Sequence, residues 1–167
     1  ILKKFGGRTE TEIAKLREDG ITLEILRRIK QIDDGFYAEF GVGDGTENNT
    51  LILAALGWKG FWVGSEKLKI DVDSANHKNF AYLREWITLE NISDLTEKGC
   101  AKINSEKLDV ISLDLDGNDI YFVEKLLADG FKPKLFIVEC NAKFPPPIKL
   151  QIACDPEHIW QSDDYYG

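Results

Sequence analysis

The chain has 167 residues and a formal net charge of −8, which suits one domain with a single sizeable core. An apolar share of 43% and a charged share of 30% are ordinary for a globular protein. The acidic balance, with a pI near 4.8, excludes a large nucleic-acid footprint, because phosphate binding needs a basic face that releases counterions.

No apolar run approaches the length of a membrane span and no signal-peptide pattern opens the chain, so no membrane partner is expected. The three cysteines, Cys100, Cys140 and Cys154, form no C-x-x-C or Cys/His metal spacing. An odd number outside any framework points to a reducing compartment, and a cytoplasmic location is expected.

In chain order, the first expected element is a helix over Thr9–Asp19, with Thr9 as N-cap, Glu12 three residues on, Ile13 and Leu16 as its apolar stripe and Gly20 as its stop. Thr22 opens a second helix, in which Leu23, Ile25, Leu26, Ile29 and Ile32 repeat at helical spacing and Arg27, Arg28 and Lys30 lie mostly off the stripe. Residues 1–35 are therefore expected as a helical segment packed on an α/β domain of residues 36–167, a single domain overall.

Asp33-Asp34-Gly35 turns the chain into an apolar run at Phe36-Tyr37-Ala38. Next comes Glu39-Phe40-Gly41-Val42-Gly43-Asp44-Gly45-Thr46, then a helix-like stretch from Asn48 to Leu56. Strand, glycine loop and helix in that order build a site for a nucleotide-type cofactor. Dinucleotide folds use G-x-G-x-x-G to bring backbone against a pyrophosphate. Here the glycines alternate, and Thr46 stands where the third dinucleotide glycine should fall. No G-x-x-x-x-G-K-[ST] is present.

The pattern E-x-G-x-G-x-G resembles the first motif of the Rossmann-like, class I S-adenosylmethionine-dependent methyltransferases. The resemblance implies that Gly41, Gly43, Gly45 and Thr46 pass under the methionine and ribose parts of S-adenosylmethionine and that Glu39 helps hold its amino-acid end. A cationic sulfonium with an ammonium group favours carboxylate neighbours and brings no phosphate to neutralise.

Beyond Gly57 a second strand is expected at Phe61-Trp62-Val63-Gly64. Glu66, about 20 residues after the glycine loop, takes the place from which an acidic residue accepts hydrogen bonds from ribose hydroxyls. Asn76, Phe80 and Leu83 suit a crossover helix, and His77 is a surface residue in a polar stretch. A third strand is expected at Glu85-Trp86-Ile87-Thr88-Leu89. The resemblance makes Asn91, past its end, a candidate for the purine edge. Ile92 to Ile103 suits a polar helix with Cys100 as apolar filler.

Leu108 to Leu113 has a buried-strand pattern, and its end is crowded with Asp114, Asp116 and Asp119. Burying such a carboxylate without a partner costs several kcal/mol or shifts its pKa, so the cluster implies cationic or hydroxyl-bearing ligands. Asp114 is assigned to cofactor binding and Asp116 to catalysis. Ile120–Asp129 is a helix stopped by Gly130. Leu135-Phe136-Ile137-Val138 is a fifth strand ending in Glu139-Cys140-Asn141, where Glu139 and Asn141 are further catalytic candidates. The blocks Glu39–Thr50, Ser112–Asp119, Val138–Pro147 and Ser162–Gly167 together are similar to the FkbM-type methyltransferases, whose corresponding stretch K-I-D-V-E-G differs from Leu115-Asp116-Gly117-Asn118-Asp119 here. Hard oxygen donors at adjacent strand ends also resemble magnesium-dependent O-methyltransferases, but no metal is expected here.

Phe144-Pro145-Pro146-Pro147 can be neither helix nor inner strand, and Leu150–Ala153 suits one more strand. The stretch after Asn141 is too short for the two further strands that usually close such a sheet, so truncation at the C-terminus is expected. The expected fold is α/β, a Rossmann-like, doubly wound and mainly parallel sheet of at least five strands with helices on both faces. The expected activity is methyl transfer from S-adenosylmethionine to an oxygen of a small-molecule substrate. A non-catalytic Rossmann-like cofactor-binding or interaction domain and an NAD-dependent oxidoreductase remain as alternatives. The oxidoreductase is disfavoured by the glycine spacing and by the lack of a Tyr-x-x-x-Lys or similar hydride-chemistry set.

Overall fold

The computed structural model describes residues 10–46, 48–69, 79–139, 147–148, 151–156 and 158. Its elements run α1 (Glu10–Arg28), β1 (Phe36–Phe40), α2 (Leu51–Ala55), β2 (Lys59–Gly64), β3 (Phe80–Arg84), α3 (Ile92–Lys102), β4 (Val110–Leu113), α4 (Asp119–Ala128) and β5 (Leu135–Val138). The five strands form one sheet in the order β3-β2-β1-β4-β5, and every pairing is parallel. This is an α/β, Rossmann-like fold.

The inner strands β2, β1 and β4 are buried on both faces, as strands inside a parallel sheet are, and their alternation sends neighbours to opposite faces. Ala38, Phe40, Phe61, Val63, Ile111 and Leu113 pack with Ile92, Leu95 and Cys100 of α3 and with Phe122 and Leu126 of α4. On the other face, Tyr37, Trp62 and Val110 pack with Leu26 of α1, Leu53 of α2 and Trp58. From β1 the strands step outward through β2 to β3 on one side, and the chain then returns to the other side of β1 at β4. The strand order therefore reverses between β1 and β4, where a crevice opens beyond the carboxyl ends.

Three expectations are corrected. Residues 10–28 form one helix, not two, and Gly20 lies inside it. A glycine costs a helix only about 1 kcal/mol against alanine, and continuous helix on both sides outweighs that. The third strand is Phe80–Arg84, so Phe80 and Leu83, given to a crossover helix, are strand residues and Glu85–Leu89 is the loop beyond it. Its backbone pairs with β2 from Phe80 opposite Gly60 to Arg84 opposite Gly64, and Tyr82 Oη donates to the carbonyls of Gly64 at 2.9 Å and Glu66 at 2.6 Å. Residues 151–153 are not a strand; the Ile152 carbonyl accepts a hydrogen bond from the Tyr121 hydroxyl of α4.

Thr9, Asn76, His77, Cys140, Asn141, Phe144 and the Ser162–Gly167 block lie outside the described residues. Among the described residues no helix is long and apolar enough to cross a membrane.

Candidate functional site

The glycine loop leaves β1 through three residues with positive φ: Gly41 at 88°, Gly43 at 50° and Gly45 at 84°. Two of them have different reasons to be glycine. A Cβ on Gly41 would lie 1.8 Å from the carbonyl oxygen of Asp114, so the end of β4 demands a bare backbone there. A Cβ on Gly43 would meet nothing within 4 Å. Its surroundings are open space, and both glycines line two adjoining cavities.

The loop is closed by its own side chains. Asp44 Oδ1 accepts both the Thr46 N–H at 3.0 Å and the Thr46 hydroxyl at 2.6 Å, while Lys69 Nζ stands 2.7 Å from Asp44 Oδ2. The Lys69 ammonium, then the Thr46 donors, hold the Asp44 carboxyl down at about 2.

Glu39 lies beneath the loop, 2% exposed. Its Oε1 accepts the Asn49 N–H at 2.7 Å, and its Oε2 accepts the Thr50 N–H at 3.0 Å and the Thr50 hydroxyl at 2.5 Å. Trp62 Nε1 donates to that same hydroxyl at 2.9 Å. The backbone donors where the loop enters α2 are thus taken by an internal carboxyl group. Neither Glu39 nor Gly45 lines either cavity.

One cavity, of about 370 Å³, spreads across the carboxyl ends of β1, β2, β3 and β4. Glu66 lines it just past β2, and the Tyr82 hydroxyl on the Glu66 carbonyl fixes the backbone there. The loop after β3 supplies Trp86, Ile87, Thr88 and Leu89. Asn91 braces this loop from behind: its Oδ1 accepts the Thr88 N–H and its Nδ2 donates to the Trp86 carbonyl, each at 2.8 Å. With both ends of its amide engaged, Asn91 lines neither cavity, and Trp86, 55% exposed, is the large side chain presented there.

Past β4 the chain turns sharply through Asp116 and Gly117, at φ 54° and 85°. Asp119 fixes the turn, accepting the N–H of Leu115 at 2.9 Å and of Gly117 at 3.1 Å. Burial, only partly offset by those donors, raises its pKa. Asp114, Leu115, Asp116 and Asn118 line the first cavity as a result.

The second cavity, about 820 Å³, is lined by Glu18 and Thr22 of α1, by the loop residues Asp44, Thr46 and Asn49, and by Glu66, Asp114 and Glu139. Asp114 and Glu66 therefore border both spaces. Although Glu139 is exposed as a residue, partial desolvation of its carboxyl raises its pKa to about 7, helped by Asp114, Asp119 and Asp116 and by a hydrogen bond with Asp114. Two close carboxyls sharing one proton behave in this way.

Of the residues singled out in the sequence, Gly41, Gly43, Glu66, Asp114 and Asp116 meet at the first cavity, while Thr46 and Glu139 border the second. Trp86, Asn118, Phe122, Cys154, Pro156 and His158 also line the first. The local sequence carries no sign of this for the last three, because chain folding alone brings them there. Among the described residues no group of three His, Cys, Asp or Glu side chains is placed to hold a metal ion. Comparison with protein-family models gives no match, and comparison with curated proteins gives none either.

Proposed function

We propose that this chain is an S-adenosylmethionine-dependent methyltransferase acting on an oxygen of a small hydroxylated molecule. The observation that carries this reading is the placement of Glu39. A dinucleotide needs the backbone donors at the loop-to-helix junction for its pyrophosphate, whereas here a buried carboxylate already takes the N–H groups of Asn49 and Thr50. The open lining supports it further: Glu66, Asp114 and Asp116 surround the glycine loop, a donor set suited to ribose hydroxyls and to a cation and unsuited to phosphate.

When bound, S-adenosylmethionine would supply an electrophilic methyl group. In this reading Gly41 and Gly43 give it close backbone contact, Glu66 accepts hydrogen bonds from its ribose, and the apolar rim of Trp86, Ile87 and Leu89 takes its base. The acceptor enters from the second cavity, which shares Gly41, Gly43, Glu66 and Asp114 with the first. Alignment across that shared wall is the main demand on the protein. Asp116 and Glu139 are the groups to take the hydroxyl proton. A carboxyl poised near 7 is well matched to that role at neutral pH.

Titration calorimetry tests the reading. Binding of S-adenosylmethionine or S-adenosylhomocysteine at roughly micromolar Kd is expected, with no comparable binding of NAD. Tight NAD binding without binding of the methyl donor would overturn it.

A further inference from the structure

Residues 151–156 have neither helix nor strand, and all but Ile152 are exposed, so little apolar burial holds them down. Even so, Cys154, Pro156 and His158 form part of the wall of the 370 Å³ cavity, together with Gly41, Gly43 and Asp116.

Side chains of Asn118 and Tyr121 reach this segment. Asn118 Nδ2 donates to the Asp155 carbonyl at 3.0 Å, and Asn118 Oδ1 accepts the Asp155 N–H at 3.2 Å. One turn on, Tyr121 Oη donates to the Ile152 carbonyl at 2.7 Å. The His158 N–H closes a turn onto the Asp155 carbonyl at 3.0 Å.

Asn118 occupies the N-cap position of α4, where asparagine ordinarily serves its own helix, yet its side chain makes no capping hydrogen bond. Its amide is spent on a residue 37 positions away. Asn118 also ends the turn that carries Asp114 and Asp116, so the segment and the acidic turn are tied at one point. His158 adds a second sign: its Nε2 is enclosed and has no hydrogen-bond partner among the described residues. A buried polar atom left unmet favours a state in which it reaches water or an occupant.

We propose that residues 151–156 with His158 are a strap that opens and closes the first cavity, with Asn118 and Tyr121 as its latch, and that an occupant of the cavity holds the strap shut. A segment with few buried contacts opens locally, independently of global unfolding. A ligand that touches strap and glycine loop together binds the closed state and shifts the population toward it. Closure keeps water from the site and makes release depend on opening. The identity of the occupant rests on the methyl-donor reading; the latch does not.

Amide hydrogen exchange of a peptide covering residues 151–158 tests this, in the full chain and in the variants Asn118→Ala and Tyr121→Phe. Each variant is expected to exchange roughly tenfold faster there, the effect of losing about one net hydrogen bond, while peptides from β1 and β4 keep their protection. Tyr121→Phe removes a single hydroxyl and keeps the test valid should Asn118→Ala loosen the whole domain. Saturating S-adenosylhomocysteine is expected to slow exchange of the same peptide in the unmodified chain, and its dissociation is expected to be faster from both variants.

Unchanged exchange in both variants would overturn the latch. S-adenosylhomocysteine that binds by calorimetry but leaves residues 151–158 exchanging as before would overturn the strap and leave the methyl-donor reading intact. Absence of binding would overturn that reading, and the latch would then stand or fall on the two variants alone.

Discussion

Gly41 and Asp114 meet at the point where strand order reverses, so closely that a Cβ on Gly41 would lie 1.8 Å from the Asp114 carbonyl oxygen. The Asp114 N–H in turn donates to the Phe40 carbonyl at 3.1 Å. The glycine loop and the acidic turn are thus one backbone unit spanning β1 and β4. This contact sets Asp114 on the wall between the two cavities.

Gly41→Ala and Gly43→Ala are expected to part in their effects. At Gly41 both the positive φ and the backbone clash act, and a loss of about 3 kcal/mol or more is expected. At Gly43 only the left-handed conformation is penalised, by roughly 1–2 kcal/mol, but the methyl group enters open space on both cavities and ligand binding should fall tenfold or more. Thermal denaturation beside calorimetry checks the pair. Equal stability losses would show that Gly43 is held by packing after all.

Glu39 and Glu66 make a second contrast. Glu39→Gln replaces a buried carboxylate that accepts three hydrogen bonds, and charge-assisted bonds of this kind are worth about 1.5–3 kcal/mol each. A loss of about 2 kcal/mol or more in urea denaturation is expected. Glu66→Gln, on an exposed residue, should leave stability within about 0.5 kcal/mol and weaken S-adenosylhomocysteine binding. A stable Glu39→Gln protein would remove the account of Glu39 as the internal acceptor that holds this turn.

Long-range geometry decided what the sequence made legible. Alternating glycines after an apolar run, and two buried strands ending in carboxylates, marked β1, β4 and β5 and the crevice between them, because those signals are local. Glu39 drew attention for its charge, yet its partners Asn49 and Thr50 sit at a turn that no periodicity describes. Phe80–Arg84 and Glu85–Leu89 are both mixed in polarity, and only pairing with β2 decides which is strand. Asn91 and Asn118 each stand just before a helix. One braces the loop before it, the other reaches Asp155, and nothing near Asn118 in the chain announces that reach.

The carboxyl of Glu139 gives a pH dependence with a definite sign. Its pKa is raised in the folded state, from an ordinary 4.5 to about 7, by desolvation and by Asp114, Asp119 and Asp116. The folded state therefore holds this proton more tightly than the unfolded chain. The associated stability is fully present below about 4.5 and is lost as pH rises through about 7. Asp119, raised by burial, acts in the same direction. Melting temperature measured from pH 4.5 to 8 should decline less in Glu139→Gln than in the unmodified protein. A steeper decline in the variant would show that Glu139 is not the group responsible.

The last prediction concerns divalent ions and the acidic turn. Oxygens of Asp114, Asp116 and Glu139 could serve a magnesium ion only by converging to about 2.0–2.1 Å from one centre. Among the described residues no group of three His, Cys, Asp or Glu side chains is placed to hold such an ion. Asp116 faces the first cavity and Glu139 the second, which separates these two donors. EDTA is therefore expected to leave methyl transfer and melting temperature unchanged. Asp116→Asn and Glu139→Gln should keep S-adenosylhomocysteine affinity within a few-fold, while at least one lowers turnover about 10²-fold, the usual cost of losing a general base. A panel of hydroxylated acceptors supplies the assay. A magnesium-dependent rise in melting temperature that disappears in Glu139→Ala would overturn the metal-free reading, and unchanged turnover in both conservative variants would remove these carboxylates from the chemistry.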